Sequence, residues 1–221
     1  CRSLDCVSVF GLQVSDISEV LLVLEEWDPQ DPFSRKKKIL TSKSFPERPK
    51  VALLEDDQLD FFGDSIARKA YDKSINLLAQ SGLSLDAVNL SPFLKAAELL
   101  YNGPWVAERH IATSPLITES PESFLPETRK IISGGNDPSA RDAFLANYKL
   151  AELRREADKI WDNFDFIALP TTGTIFTKEA IFKDPIELNS KLGRYTNFMN
   201  LLDLCGCAVP TAFREDGLPA G

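Results

Sequence analysis

The chain has 221 residues, with 25 Lys plus Arg against 33 Asp plus Glu and a net charge of −8. Apolar side chains make up 43% and charged ones 26%, which is globular composition with enough apolar material for one sizeable core. The acidic balance excludes a general nucleic-acid binder, which needs a basic surface to displace counterions, and no apolar run nears the roughly 18 residues of a membrane span.

The start, CRSLDCVSVF, has neither the basic region nor the apolar stretch of a signal peptide. Four cysteines are too few for a disulfide framework. The expected setting is therefore cytoplasmic, with no membrane partner. The chain opens at Cys1 rather than Met and closes on DGLPAG, so both ends read as cut from something longer.

In chain order, Leu4–Phe10 reads as a strand, being rich in β-branched and aromatic residues. Ser15 is the expected cap of a helix whose Ile17, Val20, Leu21, Leu24 and Trp27 share one face, and Asp28-Pro29 stops it. The polar span from Pro29 to Pro49 holds Lys36, Lys37 and Lys38 and reads as a solvated connection. Lys50–Leu54 is a buried strand. Asp60 to Gln80 is a helix with Phe61, Ile66, Ala70, Leu77 and Leu78 inward, closed at Gly82. Ala87–Leu90 is a short strand. Pro92 opens a helix carrying Phe93, Ala97 and Leu100, and Pro104 begins another with Trp105, Val106 and Arg109. Ser114 to Pro126 holds three prolines and reads as a loop. Pro126–Ser133 is a short helix, and Asp137 or Ser139 caps a long one, Ala140 to Asn163. Phe166–Leu169 is a strand, Leu188 to Leu204 contains a further helix, and Cys207–Phe213 is a last strand. Alternating strands and helices, with two strands apolar throughout, predict an α/β sheet covered by helices on both faces, in one domain or part of one.

Familiar catalytic constellations are absent: there is no GxSxG elbow and no glycine-rich phosphate loop. His110 is the single histidine and stands apart from any recognisable nucleophile, so a surface or packed role is expected. Cys1, Cys6, Cys205 and Cys207 lack zinc-type spacing and read as small buried hydrophobes. Glu55-Asp56-Asp57 reads as a solvated loop rather than a metal site. No cofactor and no metal are expected. The informative stretch is LLYNGPWVAERH. Tyr101 offers an aromatic face with one hydroxyl, and Arg109 a fork of donors for a small anion or carboxylate. The alternative is Tyr101 and Trp105 as core, with Glu108 and Arg109 as surface. The Gly103-Pro104 break leaves the relative phase of Tyr101 and Arg109 open.

RSLDCVSVFGLQVSD resembles the segment that follows the catalytic serines of amidase-signature enzymes. LLYNGPWVAERH, the Arg141–Arg155 helix with YKLAELRR, and YTNFMNLLDLCGCAVPTAFREDGLPAG are similar to the allophanate hydrolase branch of that family. The likeness runs from Cys1 to Gly221. It implies part of the amidase-signature fold, a mixed sheet between helices. It also implies a serine nucleophile, a second serine relaying the proton and a lysine base, all upstream of Cys1. The chain is thus expected to be the C-terminal part of an amidase domain without the catalytic core, and to hold no catalytic residue. Tyr101 and Arg109 match the family's positions for binding allophanate. The implied parent degrades allophanate to ammonia and carbon dioxide, forms homodimers by analogy, and is fused in fungal urea amidolyase to a biotin-dependent urea carboxylase. The alternatives are a catalytically inactive amidase-like scaffold or binding subunit, and an amidotransferase subunit, against which YNGPWVAER counts.

Overall fold

The computed structural model describes residues 2–36 and 46–221, and the expectation for Lys37 and Lys38 lies outside them. The chain divides into two compact units, Cys1–Pro46 and Glu47–Gly221.

In the first unit the regular element among the described residues is helix α1, Val14–Leu24. The expected strand at Leu4–Phe10 is a turn followed by irregular chain, with Val7 and Phe10 exposed. A strand needs a neighbour for its N–H and C=O groups, and none pairs with it among the described residues. The expected Ser15 cap is also corrected. The helix opens two residues earlier, at Val14 after extended Gln13, whose carbonyl accepts the Ile17 N–H at 3.4 Å. No α1 residue is buried, so its apolar face meets no core of this unit. Trp27 instead lies under the Lys36 ammonium, 4.5 Å from the ring centroid.

The second unit is built on three parallel strands, β1 (Lys50–Leu54), β2 (Ser84–Val88) and β3 (Phe166–Ile167), in the order β2-β1-β3. Val51 pairs with Leu85 on one side and Phe166 on the other. Successive strand residues face opposite ways. Val51 and Ala52 are both 0% exposed, so the central strand is covered on both faces, as the α/β reading expects. β2 starts earlier than Ala87–Leu90, because Leu90 has already left the ladder and gives its N–H to Gln58 Oε1 at 2.9 Å.

Helix α2 (Ser65–Gln80) joins β1 to β2. It starts at Ser65 rather than Asp60 because Asp64 caps it, accepting the Ala67 N–H at 2.9 Å. Its buried residues are Ala67, Ala70 and Ser74, while Leu77 is exposed, so the buried stripe is narrower than the periodicity predicts. Gly82 closes it with φ +87°, a backbone angle that suits glycine.

Helix α3 (Ser91–Asn102) carries Pro92 in its first turn, as expected, and buries Phe93, Ala96 and Ala97. Helix α4 (Trp105–Glu119) overturns the loop read from Ser114, since it runs on through Pro115. An internal proline removes one ladder bond and costs about 3 kcal/mol in an isolated helix. Here helix α5 (Pro126–Ser133) and the 3₁₀ turn Gly134–Asn136 pack along α4 and hold it together.

Helix α6 (Ala140–Ala157) opens with a capping box. Ser139 Oγ accepts the Asp142 N–H at 3.2 Å, and Asp142 Oδ2 accepts the Ser139 N–H at 2.9 Å. The Ser139 hydroxyl, then its N–H, hold the Asp142 carboxyl below its ordinary value. Ser139→Ala is expected to cost about 1 kcal/mol, read as a lower denaturant midpoint with an unchanged slope. The helix ends at Ala157 and passes into a 3₁₀ turn, Asp158–Asp162, short of the expected Asn163.

After β3 come α7 (Lys178–Lys183), α8 (Pro185–Leu192) and α9 (Phe198–Leu201). The helix expected within Leu188 to Leu204 is α9, and the end of α8 reaches into the same span before its C-cap at Gly193. The expected strand Cys207–Phe213 is also absent. Its residues are mostly exposed and meet 218–220 through one bridge, Phe213 with Pro219, about a turn at Gly217 with φ +81°. The core lies where the end of β1 meets α3, α6 and α9, with Leu54, Phe93, Leu153, Tyr195 and Phe198 buried together.

Candidate substrate-binding site

Tyr101 ends α3 and Arg109 lies in the second turn of α4, eight residues on. Between them Gly103 permits a close turn. A Cβ there would stand 2.5 Å from the Leu99 carbonyl and 2.8 Å from the Trp105 ring. Trp105 is buried and anchors the start of α4. The turn thereby settles the phase left open by the Gly-Pro break. The Arg109 guanidinium carbon lies 5.8 Å from the Tyr101 ring centroid, within cation–π range. Of the alternative reading, Trp105 is indeed core, but Tyr101 is 42% exposed and Arg109 half-buried. Among the described residues no carboxylate forms an ion pair with Arg109, whose guanidinium meets the Tyr101 ring.

The adjacent His110 is half-buried, and its Nε2 lies 3.1 Å from Asn136 Nδ2. Gly135 packs directly under that turn of α4. A Cβ on it would stand 2.5 Å from His110 Cβ and 2.7 Å from the Val106 carbonyl.

The other sequence candidates have structural partners. Asp56 pairs with Arg68 at 2.7 Å, and Glu55 accepts from Asn89 Nδ2 at 3.2 Å. The expectation of small buried cysteines is corrected: Cys6, Cys205 and Cys207 are exposed, Cys205 and Cys207 as free thiols, and Cys1 lies outside the described residues. Among the described residues no three His, Cys, Asp or Glu side chains gather as a metal would need. No helix among them is long and apolar enough to cross a membrane.

Three buried polar groups were not legible beforehand. Arg214, with its side chain 7% exposed, pairs with Asp64 at 3.0 Å and Asp216 at 2.8 Å. Thr174 Oγ1 donates to the same Asp64 carboxylate at 3.0 Å. Burial pulls the Asp64 carboxyl upward, but the Ala67 N–H, the Thr174 hydroxyl and Arg214 outweigh it and leave it below its ordinary value. Tyr195 donates its hydroxyl to the Asp60 carbonyl at 2.9 Å and accepts the Asp60 N–H at 2.7 Å. Gln58 bridges the exits of β1 and β2, accepting from Leu90 and donating to Ser91 Oγ at 3.0 Å. The one sequence signal was Arg214 two residues before Asp216 in a turn. These groups are spent on the chain's own atoms. Among the described residues Arg109 has no such ion pair and meets the Tyr101 ring instead, and that difference singles out the Tyr101–Arg109 pair as the binding candidate.

Urea amidolyase of Lachancea kluyveri is 34% identical over 224 residues, covering all of this chain and 12% of that protein. The structure of Kluyveromyces lactis allophanate hydrolase matches with a TM-score of 0.93 and 37% identity, over all of this chain and 36% of that one. The K. lactis urea amidolyase structure matches with a TM-score of 0.94 and 36% identity, over all of this chain and 13% of that one. The chain thus spans about a third of the allophanate hydrolase and about an eighth of the urea amidolyases. The family Amidase matches residues 1–221. This chain belongs to the Amidase family, and both its sequence and its fold resemble the allophanate hydrolase part of urea amidolyase.

Proposed function

We propose that residues 1–221 form the C-terminal part of an amidase domain and supply the substrate-carboxylate wall of an allophanate hydrolase. The parent enzyme releases ammonia and carbon dioxide from allophanate in urea degradation. The observation that carries this is Arg109, stacked on Tyr101 with no carboxylate partner among the described residues. A guanidinium fork binds a carboxylate through two parallel charge-assisted hydrogen bonds. Biuret, the neutral analogue with an amide in place of the carboxylate, leaves that charge unmatched, so the site selects the acid. The serines and the lysine that perform the attack belong, by family likeness, to the segment before Cys1. The fusion to a biotin-dependent urea carboxylase and the pairing of subunits belong to the same reading. So does a cytoplasmic setting, which the free thiols at Cys205 and Cys207 support.

The test is steady-state ammonia release by the full gene product carrying this segment. Arg109→Ala is expected to raise KM for allophanate roughly 10- to 100-fold with kcat little changed, the loss of a charged hydrogen bond of about 1.5–3 kcal/mol. KM for biuret should barely move. An unchanged KM for allophanate sinks the assignment.

A further inference from the structure

We infer that His110 and Asn136 form a latch that fixes the rotation of α4, and through it the aim of Arg109 at the substrate carboxylate. The inference rests on the binding role of Arg109 proposed above and adds two positioning residues to it.

Val106 and His110 are four residues apart and share one face of α4. That face sits on Gly135 so closely that a single added carbon would stand 2.5 Å from His110 Cβ. Contact this tight fixes the distance between α4 and the turn Gly134–Asn136, but a glycine surface without a side chain resists rotation poorly. The directional element is the bond between His110 Nε2 and Asn136 Nδ2, 3.1 Å long. In the tautomer that carries its proton on Nδ1, Nε2 accepts and the Asn136 amide donates.

Arg109 follows from this placement. It stands one residue before His110, about 100° around the helix axis, and four after Trp105. Trp105 is buried and pins the start of α4, while His110 is held a turn and a half later. Between these two fixings the Arg109 Cα has one direction, toward the Tyr101 ring 5.8 Å from its guanidinium. Thr113 Oγ1 donates to the Arg109 carbonyl at 2.8 Å, which tightens the same turn. Without the latch α4 turns more freely, and a bidentate contact is sensitive to small rotations of its base. His110 touches no reacting atom in this account and acts through Arg109.

The experiment measures KM and kcat for allophanate and biuret in the full gene product, with thermal melts to confirm folding. His110→Leu and Asn136→Ala are each expected to raise KM for allophanate about fivefold, the worth of one neutral hydrogen bond, while kcat and KM for biuret stay put. His110→Gln keeps an acceptor at similar reach and is expected to retain the wild-type KM. In the double variant Asn136→Ala with Arg109→Ala, KM should equal that of Arg109→Ala alone, because the latch acts through that side chain. A further rise in the double variant, or an unchanged KM in both latch variants beside a raised one in Arg109→Ala, overturns the latch and leaves the binding role standing. An Arg109→Ala enzyme with wild-type KM, or a wild type that releases no ammonia from allophanate, overturns both.

Discussion

Phe198→Ala is expected to lower unfolding free energy by about 3–5 kcal/mol, the usual cost of deleting a buried aromatic ring. Phe198 is 2% exposed and meets the Phe93 ring edge-on, with centroids 5.4 Å apart and an interplanar angle of 74°. It belongs to the cluster where α3, α6 and α9 converge on the end of β1. Truncation removes transfer energy and dispersion contacts together, and the neighbours cannot fill the gap. Ala96, Ala97 and Ala157 are too short to reach, Leu153 sits on α6, and Leu202 is held at the C-cap of α9 by its N–H bond to the Phe198 carbonyl. Phe182 on α7 is the control, being 82% exposed, and Phe182→Ala should change little. Urea titrations of both variants check this. Equal midpoints would mean that the cluster is not the core of this unit.

Arg214→Met is expected to cost about 3 kcal/mol at neutral pH, as removal of one partner from a buried ion pair does. The methionine fills the volume but leaves the Asp64 carboxylate facing apolar atoms, held only by the Ala67 N–H and the Thr174 hydroxyl. The effect has a defined pH dependence. The folded state holds the Asp64 carboxyl below its ordinary value. Its contribution is therefore full above the ordinary carboxylate range, and it is lost as pH falls through the lower, folded value. The gap between wild type and Arg214→Met should be widest near neutrality and shrink from about pH 4 downward. Denaturation at a series of pH values measures it. A gap that stays constant into acid would show that the arginine acts by packing alone.

What the sequence made legible was local or carried by family likeness. Strand β1, the Pro92 entry of α3, the Gly82 stop and the Ser139 cap each depend on a few neighbouring residues, and all were readable. Pro115 misled because its penalty is local while the packing of α5 against α4 is not. Leu4–Phe10 and Cys207–Phe213 have strand composition, yet a strand exists only with a partner, and composition does not name one. At the site, the residue types at 101 and 109 suggested a planar anion, but the broken helix left their phase undefined. The close turn at Gly103 brought them together. The Asp64–Arg214 pair joins residues 150 apart, beyond the reach of any spacing rule.

The sheet's order has a kinetic consequence. β1 can zip to β2 once α2 has formed, across a short crossover. β3 must join the far side of the same strand, with Phe166 opposite Val51, after the whole of α3 to α6 has been made. Contacts of such sequence separation are costly to close before other structure shortens the effective loop. The helices around Tyr101 and Arg109, by contrast, are neighbours in sequence and need little searching. Refolding should therefore assemble the Tyr101–Arg109 neighbourhood early and complete the sheet late. Until Phe166 docks, one edge of β1 stays open to pairing with another chain, so the slow step is also the one at which aggregation competes.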